Sequence, residues 1–429
     1  MSTILIQGGR VIDPANKRDE VSDVLVKDGR IAEIARDIKP EGAQVIAAAG
    51  NVVMPGIVDM HVHLRQPGRE DKETVASGSR AGLRGGVTTM LAMPNTLETI
   101  DCIATVRKLR DIISRTACAH VLMCGAITKE RAGKELSDIA GLAHEGIVAI
   151  SDDGASVDSE ELLREALVRA HKAKVTVTCH CEDKTVSTNG VVNLGFTSTR
   201  LGLRGISKEA EWQRVARDIE CAAKQNVPIH IAHVSCKESL EIIAKAKQKG
   251  VRVSAETAPH YFSLNEEAVL GYDTNFKMNP PLRSASDVIA IKEALRDGII
   301  DVIASDHAPH TENEKEIEFD RAEFGVIGLE TELAVSYTHL VVSGVLGVAQ
   351  LVEKFTVAPA RILGINKGTL GIGADADLVV FNPQRAWVVK KEELVSKSKN
   401  SPYLGKTLRG VVECTIYNGS IVYVNTPSI

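Results

Sequence analysis

The middle of the chain alternates between short apolar runs and longer stretches of helical periodicity. The apolar runs fall at 56–64 (GIVDMHVHL), 87–93 (VTTMLAM), 119–127 (AHVLMCGAI), 146–151 (GIVAIS), 174–181 (KVTVTCHC), 227–234 (VPIHIAHV), 251–256 (VRVSAE) and 299–305 (IIDVIAS). Between most of them lie amphipathic segments such as SEELLREALVRAHK (159–172) and CKESLEIIAKAKQKG (236–250), with apolar residues every three or four positions. Eight strand–helix units over ~290 residues match the arithmetic of a (β/α)8 barrel. An open doubly wound sheet alternates in the same way, and the strand count alone does not separate the two. The polar residues that close the runs sharpen the reading toward the barrel. The first ends in His61-Val62-His63, the second in Asn95, the fourth in Asp152-Asp153 and the fifth in His180. The sixth ends in His233, the seventh in Glu256 and then His260, the eighth in Asp306-His307 and then His310. Barrel enzymes gather their chemistry at the C-terminal strand ends, where the βα loops converge.

The two ends of the chain follow a different grammar. Residues 1–53 read as short strands (ILIQGGRVID, VLVKDGRIAEI, AQVIAAAGNVVM), with Gly8-Gly9 and Asp28-Gly29 as hairpin-type breaks. ADLVVFN and VVECTIYNGSIVYVN repeat that pattern near the C-terminus, with Asn418-Gly419 as the clearest turn. Two separate modules of ~50 residues would have marginal cores. The expected architecture is therefore one composite β-sandwich domain from residues 1–53 and 362–429, enclosing a TIM-like α/β barrel over 54–361. The apolar-leaning run from Leu333 to Val352 contains Ser336, Thr338, His339 and Ser343, which predicts a buried helix and not a membrane span.

Composition narrows the function. Lys plus Arg number 51 against 56 Asp plus Glu, a net charge of −5, so no basic excess points to nucleic acid. Aromatic residues are only 3%, too few for a stacking platform for bases or glycans. Eight cysteines without a Cys-X-X-Cys pair are expected to be reduced structural thiols. The N-terminal stretch lacks the pattern of a secretory signal, and a cytoplasmic location is expected.

His61 and His63 are two apart and so share one side of a strand. As neutral imidazoles they can share a metal. With His180, His233, Asp153 and Asp306, the set contains four imidazoles and two carboxylates, more than the three protein ligands of a simple catalytic zinc. A pair of ions about 3.5–4 Å apart is the natural reading, with one aspartate bridging, since a carboxylate can span two ions and an imidazole cannot. Arg65, two past His63 and so on the same side of the strand, offers a planar bidentate fork. Asn279 stands before Pro280-Pro281, a setting that also suits a turn-forming Asn. His120, His144, His171, His230 and His339 are read as structural, and His260 and His307 as near the site without being assigned as ligands. The charged segment 311–325 (TENEKEIEFDRAEFG) reads as a mobile loop beside the site or, for most of its residues, as a solvated helix-like excursion.

With these residues in view, the chain resembles the amidohydrolase superfamily, and within it the type I dihydroorotases. MPGIVDMHVHLRQPGREDKET (54–74) is similar to the first-strand signature, and its HLRQPG extension is more specific than His-X-His. MPNT (93–96), SDDG (151–154), CHCED (179–183), AHVS (232–235), MNPPLR (278–283) and SDHAPH (305–310) follow in family order. GTLGIGADADLVVFNP (368–383) resembles the superfamily's return into its β-sandwich. The resemblance implies two Zn2+ ions, with other divalent metals acceptable to the same N/O cage. It places one ion on His61, His63 and Asp306 and the other on His180 and His233, with Asp153 as the bridge; spacing alone leaves Asp152 and Asp153 open. Many superfamily members bridge with a carbamylated lysine, but this position holds no lysine and Lys174 starts the fifth strand at the wrong end. The implied reaction is the reversible hydrolysis of dihydroorotate to N-carbamoyl-L-aspartate in pyrimidine biosynthesis. A hydroxide held between the ions would attack, with Asp306 as base and then acid. On that reaction Arg65 would hold the substrate carboxylate in a pocket completed by Asn95 and His310, Asn279 would be a candidate contact for the ring amide, and Gly325 would join the substrate contacts. The resemblance also implies a homodimer and a possible association with an aspartate transcarbamoylase. The rival readings are an allantoinase or hydantoinase, and a non-catalytic scaffold for a transcarbamoylase.

Overall fold

Each of the eight apolar runs forms a strand in a computed structural model that describes residues 3–39 and 41–425. The strands are Ile57–Val62, Val87–Ala92, His120–Gly125, Ala149–Ile150, Thr176–Cys179, Ile229–Ile231, Val253–Thr257 and Val302–Ile303. They pair in parallel and in chain order. A bridge between Val62 and His307 joins the last to the first, where the His63 N–H donates to the His307 carbonyl at 2.8 Å. That closure makes the sheet a barrel and excludes the open doubly wound alternative.

The connecting helices form where local sequence chemistry favours them. Glu160–Ala173 is capped by Ser159, whose Oγ accepts from the Leu162 N–H at 3.2 Å; Glu160 and Glu161 occupy its first turn and His171 and Lys172 its last. Those charges complement the helix dipole. Its buried residues Leu163, Ala166, Leu167 and Ala170 form the i, i+3, i+4, i+7 stripe that packs on the strands. With Val215, Ile219, Leu240 and Ile243 of other helices they join one aliphatic core that includes Val121, Val177, Ile229 and Ile231. The first helix, Val75–Gly85, is capped by Thr74 and stopped by Gly86, whose φ of 90° is the left-handed conformation that glycine adopts without a Cβ clash.

The terminal segments build one continuous sheet. Its order is Ser420–Val424, Thr407–Tyr417, Leu378–Val388, Val52–Pro55, Thr3–Asp13, Arg18–Lys27 and Arg30–Ala35, with Gln44–Ala47 also paired to Thr3–Asp13. The sheet folds back on itself: the Ile31 N–H donates to the Ala374 carbonyl at 3.0 Å, and Gly29 lies against Asn418. Residues from both chain ends, among them Ile4, Ile6, Val24, Leu378, Val380 and Ile416, thereby share one core. Asp28-Gly29 and Asn418-Gly419 turn hairpins as predicted, all four with positive φ, the signature of type I′ turns. Gly8-Gly9 does not break its strand. The pair sits inside Thr3–Asp13 at a register shift between Ile6 and Gly9, a β-bulge whose Gly8 N–H is satisfied by Asp23 Oδ1 at 2.7 Å.

Two regions depart from expectation. The run from Leu333 to Val352 is not one helix: Glu332–Ser336 continues as a π-helical turn at Tyr337–Val341, and the chain then turns before Val348–Phe355 begins. Gly344, with φ of 77°, makes that turn. After the fifth strand the chain makes an excursion with short strands Val192–Asn193 and Gly205–Ile206 around helix Phe196–Leu201. No described helix is long and apolar enough to cross a membrane.

Candidate metal centre and active site

The six ligand-type residues converge where five barrel strands end. His61 and His63 project from the first strand, Asp153 follows the fourth, His180 the fifth, His233 the sixth and Asp306 the eighth. All six are buried. His233 (φ 35°), Asp306 (φ 47°) and the adjacent Arg65 (φ 59°) have left-handed backbones, conformations that cost non-glycine residues about 1–3 kcal/mol and concentrate at functional sites.

The Asp153 carboxylate is central to this cluster. Its Oδ1 lies 3.3 Å from His61 Nε2, 3.6 Å from His233 Nε2 and 3.7 Å from His180 Nδ1, and its Oδ2 lies 3.5 Å from His63 Nε2. Asp306 Oδ1 approaches His63 Nε2 at 3.3 Å and His61 Nε2 at 3.6 Å. Two overlapping sets, His61–His63–Asp306 and His61–Asp153–His233, therefore place their donor atoms within 4.8 Å of one another. His180 joins through Nδ1, 2.8 Å from His233 Nε2. Burial acts to raise the Asp153 carboxyl, but the His61, His180 and His233 rings outweigh it and hold Asp153 well below the usual range. Asp306 is lowered too, burial being overcome by His61, His63 and His233.

Hydrogen bonds behind the rings fix which nitrogen faces inward. His61 Nδ1 meets Glu256 Oε1 at 2.6 Å, and the other Glu256 oxygen meets His230 Nε2 at 3.2 Å. His63 Nδ1 meets Asn95 Oδ1 at 2.7 Å, and His180 Nε2 meets Glu182 Oε2 at 3.1 Å. Each acceptor can hold a ring proton on its own side, so that a ring giving up its other proton presents a lone pair to the cage, the usual support of a metal-bound histidine. His61 Nε2 is buried with no hydrogen-bond partner, a position a buried polar atom occupies at a cost unless a cation accepts its lone pair. The N/O donor set thus fits divalent metal ions.

Glu256 and Glu182 are supports that the sequence reading left unassigned. Glu182 carried a usable signal, since it stands two past His180 and so on the same side of the chain. His230, read as structural, lies beneath the cage with Nδ1 on Ser254 Oγ at 2.8 Å. His260 stays outside the metal sets; burial pushes it down to about 4. His307 is held by Glu73 Oε2 at 3.4 Å and by the Gly328 N–H at 3.2 Å. Lys174 caps the helix Glu160–Ala173, among residues at the opposite end of the fifth strand.

A cavity of about 370 Å³ opens over the cage, and Arg65, Asn95, Asn279, His310 and Gly325 all line it. Asn95 is engaged with the cage itself, its Nδ2 donating to Asp153 Oδ2 at 3.2 Å while its oxygen holds His63. Asn279 Nδ2 donates to Glu182 Oε2 at 2.9 Å. Arg65 Nε donates to the Pro309 carbonyl at 3.2 Å and its Nη2 stands 3.3 Å from His310 Nε2. Burial pushes the guanidinium down to about 10, against Asp153, Asp306 and Glu314, so it remains charged at neutral pH. Gly325 has φ of 135°, and a Cβ there would stand 2.7 Å from Ala308 Cβ and 3.1 Å from His310 Nε2.

The segment 311–325, expected to be a mobile loop, is anchored by buried lysines. Lys315 Nζ donates to the carbonyls of Glu323 at 2.8 Å and Gly325 at 3.0 Å, and Lys277 Nζ to those of Phe319 at 2.8 Å and Ala322 at 2.5 Å. Nothing in the local pattern marks either lysine as buried.

Comparison with known proteins agrees with this geometry. Residues 50–239 match the family described as dihydro-orotase-like. The chain is 50% identical over 421 residues to the dihydroorotase of Geotalea daltonii, covering 98% of this chain and 99% of the relative. It is 48% identical over 421 residues to the dihydroorotase of Elusimicrobium minutum, covering 98% of each. Among solved structures, the L-hydantoinase (dihydropyrimidinase) of Arthrobacter aurescens superposes with a TM-score of 0.90 at 24% identity, covering 99% of this chain and 98% of that one. The dihydropyrimidinase of Brevibacillus agri gives 0.86 at 23%, with 99% and 95% covered. These structures share the fold, and the sequence relatives carry the closer kinship: the chain belongs to the dihydroorotase family of cyclic amidohydrolases.

Proposed function

We propose that this enzyme interconverts (S)-dihydroorotate and N-carbamoyl-L-aspartate as a step of pyrimidine biosynthesis, with two Zn2+ ions in the cage. One observation on the site supports the substrate above all: a charged guanidinium beside the cage has no carboxylate within 4 Å among the described residues. Arg65 Nε donates to the Pro309 carbonyl and its Nη2 stands 3.3 Å from His310 Nε2, and both side chains line the cavity over the cage. A guanidinium charge without a counter-ion beside the cavity calls for an anionic ligand, and a substrate carboxylate supplies it with bidentate geometry.

His61, His63 and Asp306 would hold one ion, His180 and His233 the other, and Asp153 would bridge them. Bound there, the ions would lower the pKa of water toward neutrality and polarise the ring carbonyl. Asp306, ionised and facing the cavity, would take the proton of the attacking water and deliver it to the ring nitrogen as the amide bond breaks. Arg65 and His310 would hold the substrate carboxylate. Asn95 would keep His63 and Asp153 in register. Asn279, anchored on Glu182, would face the ring amide, and Gly325 would let the loop backbone approach. Hydrolysis converts a monoanion into a dianion and releases a proton, so lower pH favours ring closure.

The deciding experiment assays the purified enzyme with dihydroorotate, allantoin and hydantoin, alongside metal analysis of protein prepared without added metal. Turnover of dihydroorotate with about two zinc per chain is the expected result. Activity confined to allantoin or hydantoin would overturn the substrate assignment, and metal content near one would overturn the binuclear reading. Light scattering, alone and with an aspartate transcarbamoylase, tests the homodimer and the hetero-assembly.

A further inference from the structure

Lys72 lies in the first-strand signature, yet the reaction outlined above gives it no task. It is 6% exposed and sits where a lysine needs partners. Its Nζ is 3.1 Å from His310 Nδ1 and 2.9 Å from Glu314 Oε1. Glu314 is itself tied down, accepting from Arg69 Nη2 at 2.7 Å and from the Thr311 N–H at 3.0 Å. We propose that Lys72 is a positioning residue for substrate, fixing His310 in the tautomer that carries its proton on Nε2 so that a neutral N–H stands beside the Arg65 fork. This proposal rests on the reading of Arg65 and His310 as the carboxylate pocket.

The tautomer follows from donor and acceptor arithmetic. An ammonium only donates, so His310 Nδ1 must accept from Lys72 and carry no hydrogen. Burial, with Arg65, Lys72 and Lys315 nearby, keeps the ring well below the usual imidazole range and therefore neutral. Its single proton then lies on Nε2, which donates to the Phe324 carbonyl at 2.8 Å and faces the cavity. Glu314 Oε2 stands 3.7 Å from His310 Nδ1, too far for a hydrogen bond but close enough to attract a proton there. Without Lys72, two groups favour moving the proton to Nδ1 at the expense of the Phe324 bond: the Glu314 carboxylate attracts it, and the Arg65 Nη2 donor, 3.3 Å from Nε2, would then meet a lone pair. Nε2 would then present a lone pair to the Phe324 oxygen and to any substrate carboxylate, and the pocket would lose one of its donors.

The test uses the metal-loaded full chain as wild type, Lys72→Met, Lys72→Arg and Glu314→Gln. Steady-state kinetics with dihydroorotate are read beside nitrogen NMR of 15N-histidine-labelled protein, with the His310 signal assigned from a His310→Gln spectrum. In the wild type the proton is expected on Nε2. Losing a donor to a charged partner should raise KM about 10-fold or more in Lys72→Met, with kcat changed less than about threefold. The His310 proton should shift to Nδ1. Lys72→Arg, which keeps a donor, should restore both readouts, and Glu314→Gln should leave the proton on Nε2. A wild-type spectrum with the proton on Nδ1 would overturn the proposal, even if Lys72→Met does not fold. An unchanged KM in folded Lys72→Met, or a raised KM with the tautomer unmoved, would also overturn it. If the wild type does not turn over dihydroorotate, the substrate reading fails, while the spectra still decide what Lys72 does to His310.

Discussion

Replacing Glu256 probes how far the metal cage depends on a residue that would touch no metal. Glu256 is 1% exposed and makes two contacts to rings, at 2.6 Å to His61 Nδ1 and 3.2 Å to His230 Nε2. Burial opposes its ionisation, but His61 and His230 overcome that and hold the carboxyl below its usual range, so a full negative charge backs the His61 ring. It keeps the His61 proton on Nδ1 and aims the Nε2 lone pair at the space shared with Asp153 and Asp306. Removing such a support costs about 10–100-fold in metal affinity, or about 1.4–2.7 kcal/mol at 1.36 kcal/mol per decade. Glu256→Gln retains an acceptor for His61 without the charge and should fall near the lower end. Glu256→Ala frees the ring and should reach the upper end. The assay is competition for Zn2+ between the metal-free protein and a chromophoric chelator, with circular dichroism to verify the fold. Wild-type affinity in a folded Glu256→Ala protein would show that the ring is oriented by other contacts and that this reasoning is wrong.

Arg65→Lys keeps the charge but loses the fork, so kcat/KM for dihydroorotate should fall about 10–100-fold with metal content unchanged; equal loss on an uncharged cyclic amide would contradict a carboxylate role. Gly325→Ala meets a φ of 135° and the close approach to Ala308 and His310; it should cost about 1–3 kcal/mol in unfolding free energy and raise KM. Burial alone would raise the Glu314 carboxyl, but Lys72, Arg69 and the Thr311 N–H lower it to about 2 from a usual 4.5. A depressed carboxylate pKa contributes stability that is complete above pH 4.5 and is lost as pH falls through about 2. Glu314→Gln should therefore destabilise by about 1 kcal/mol at neutral pH, after discounting solvent screening. The difference from wild type should shrink between pH 4.5 and pH 2 in thermal melts; a constant difference would refute it.

Much of the site was legible because its signals are local. Alternation along a strand puts His61 and His63 on one side, and the polar endings of the apolar runs mark where loops converge. Asp28-Gly29 and Asn418-Gly419 specify turns by their own φ preferences, wherever they sit. Gly8-Gly9 shows the limit of that logic: the same residue type serves a bulge as well as a turn, and only pairing with Arg18–Lys27 distinguishes them. The hydrophobicity of the run from Leu333 to Val352 reports burial, whereas the π-turn and the bend at Gly344 that divide it depend on what it packs against.

By itself, the sequence determined the number and order of the barrel strands, the turns at Asp28-Gly29 and Asn418-Gly419, and the ligand-type residues that close the strands. These follow from periodicity and side-chain chemistry within a few residues. Tertiary structure alone decided that the barrel closes, that the two chain ends share one sheet, and which groups hold the site's side chains in place. Glu256 meets His61 across 195 residues of chain, and Lys72 meets His310 across 238. A buried polar group must find a partner, but neither burial nor partner leaves a local period in the sequence; both arise when distant segments exclude water together.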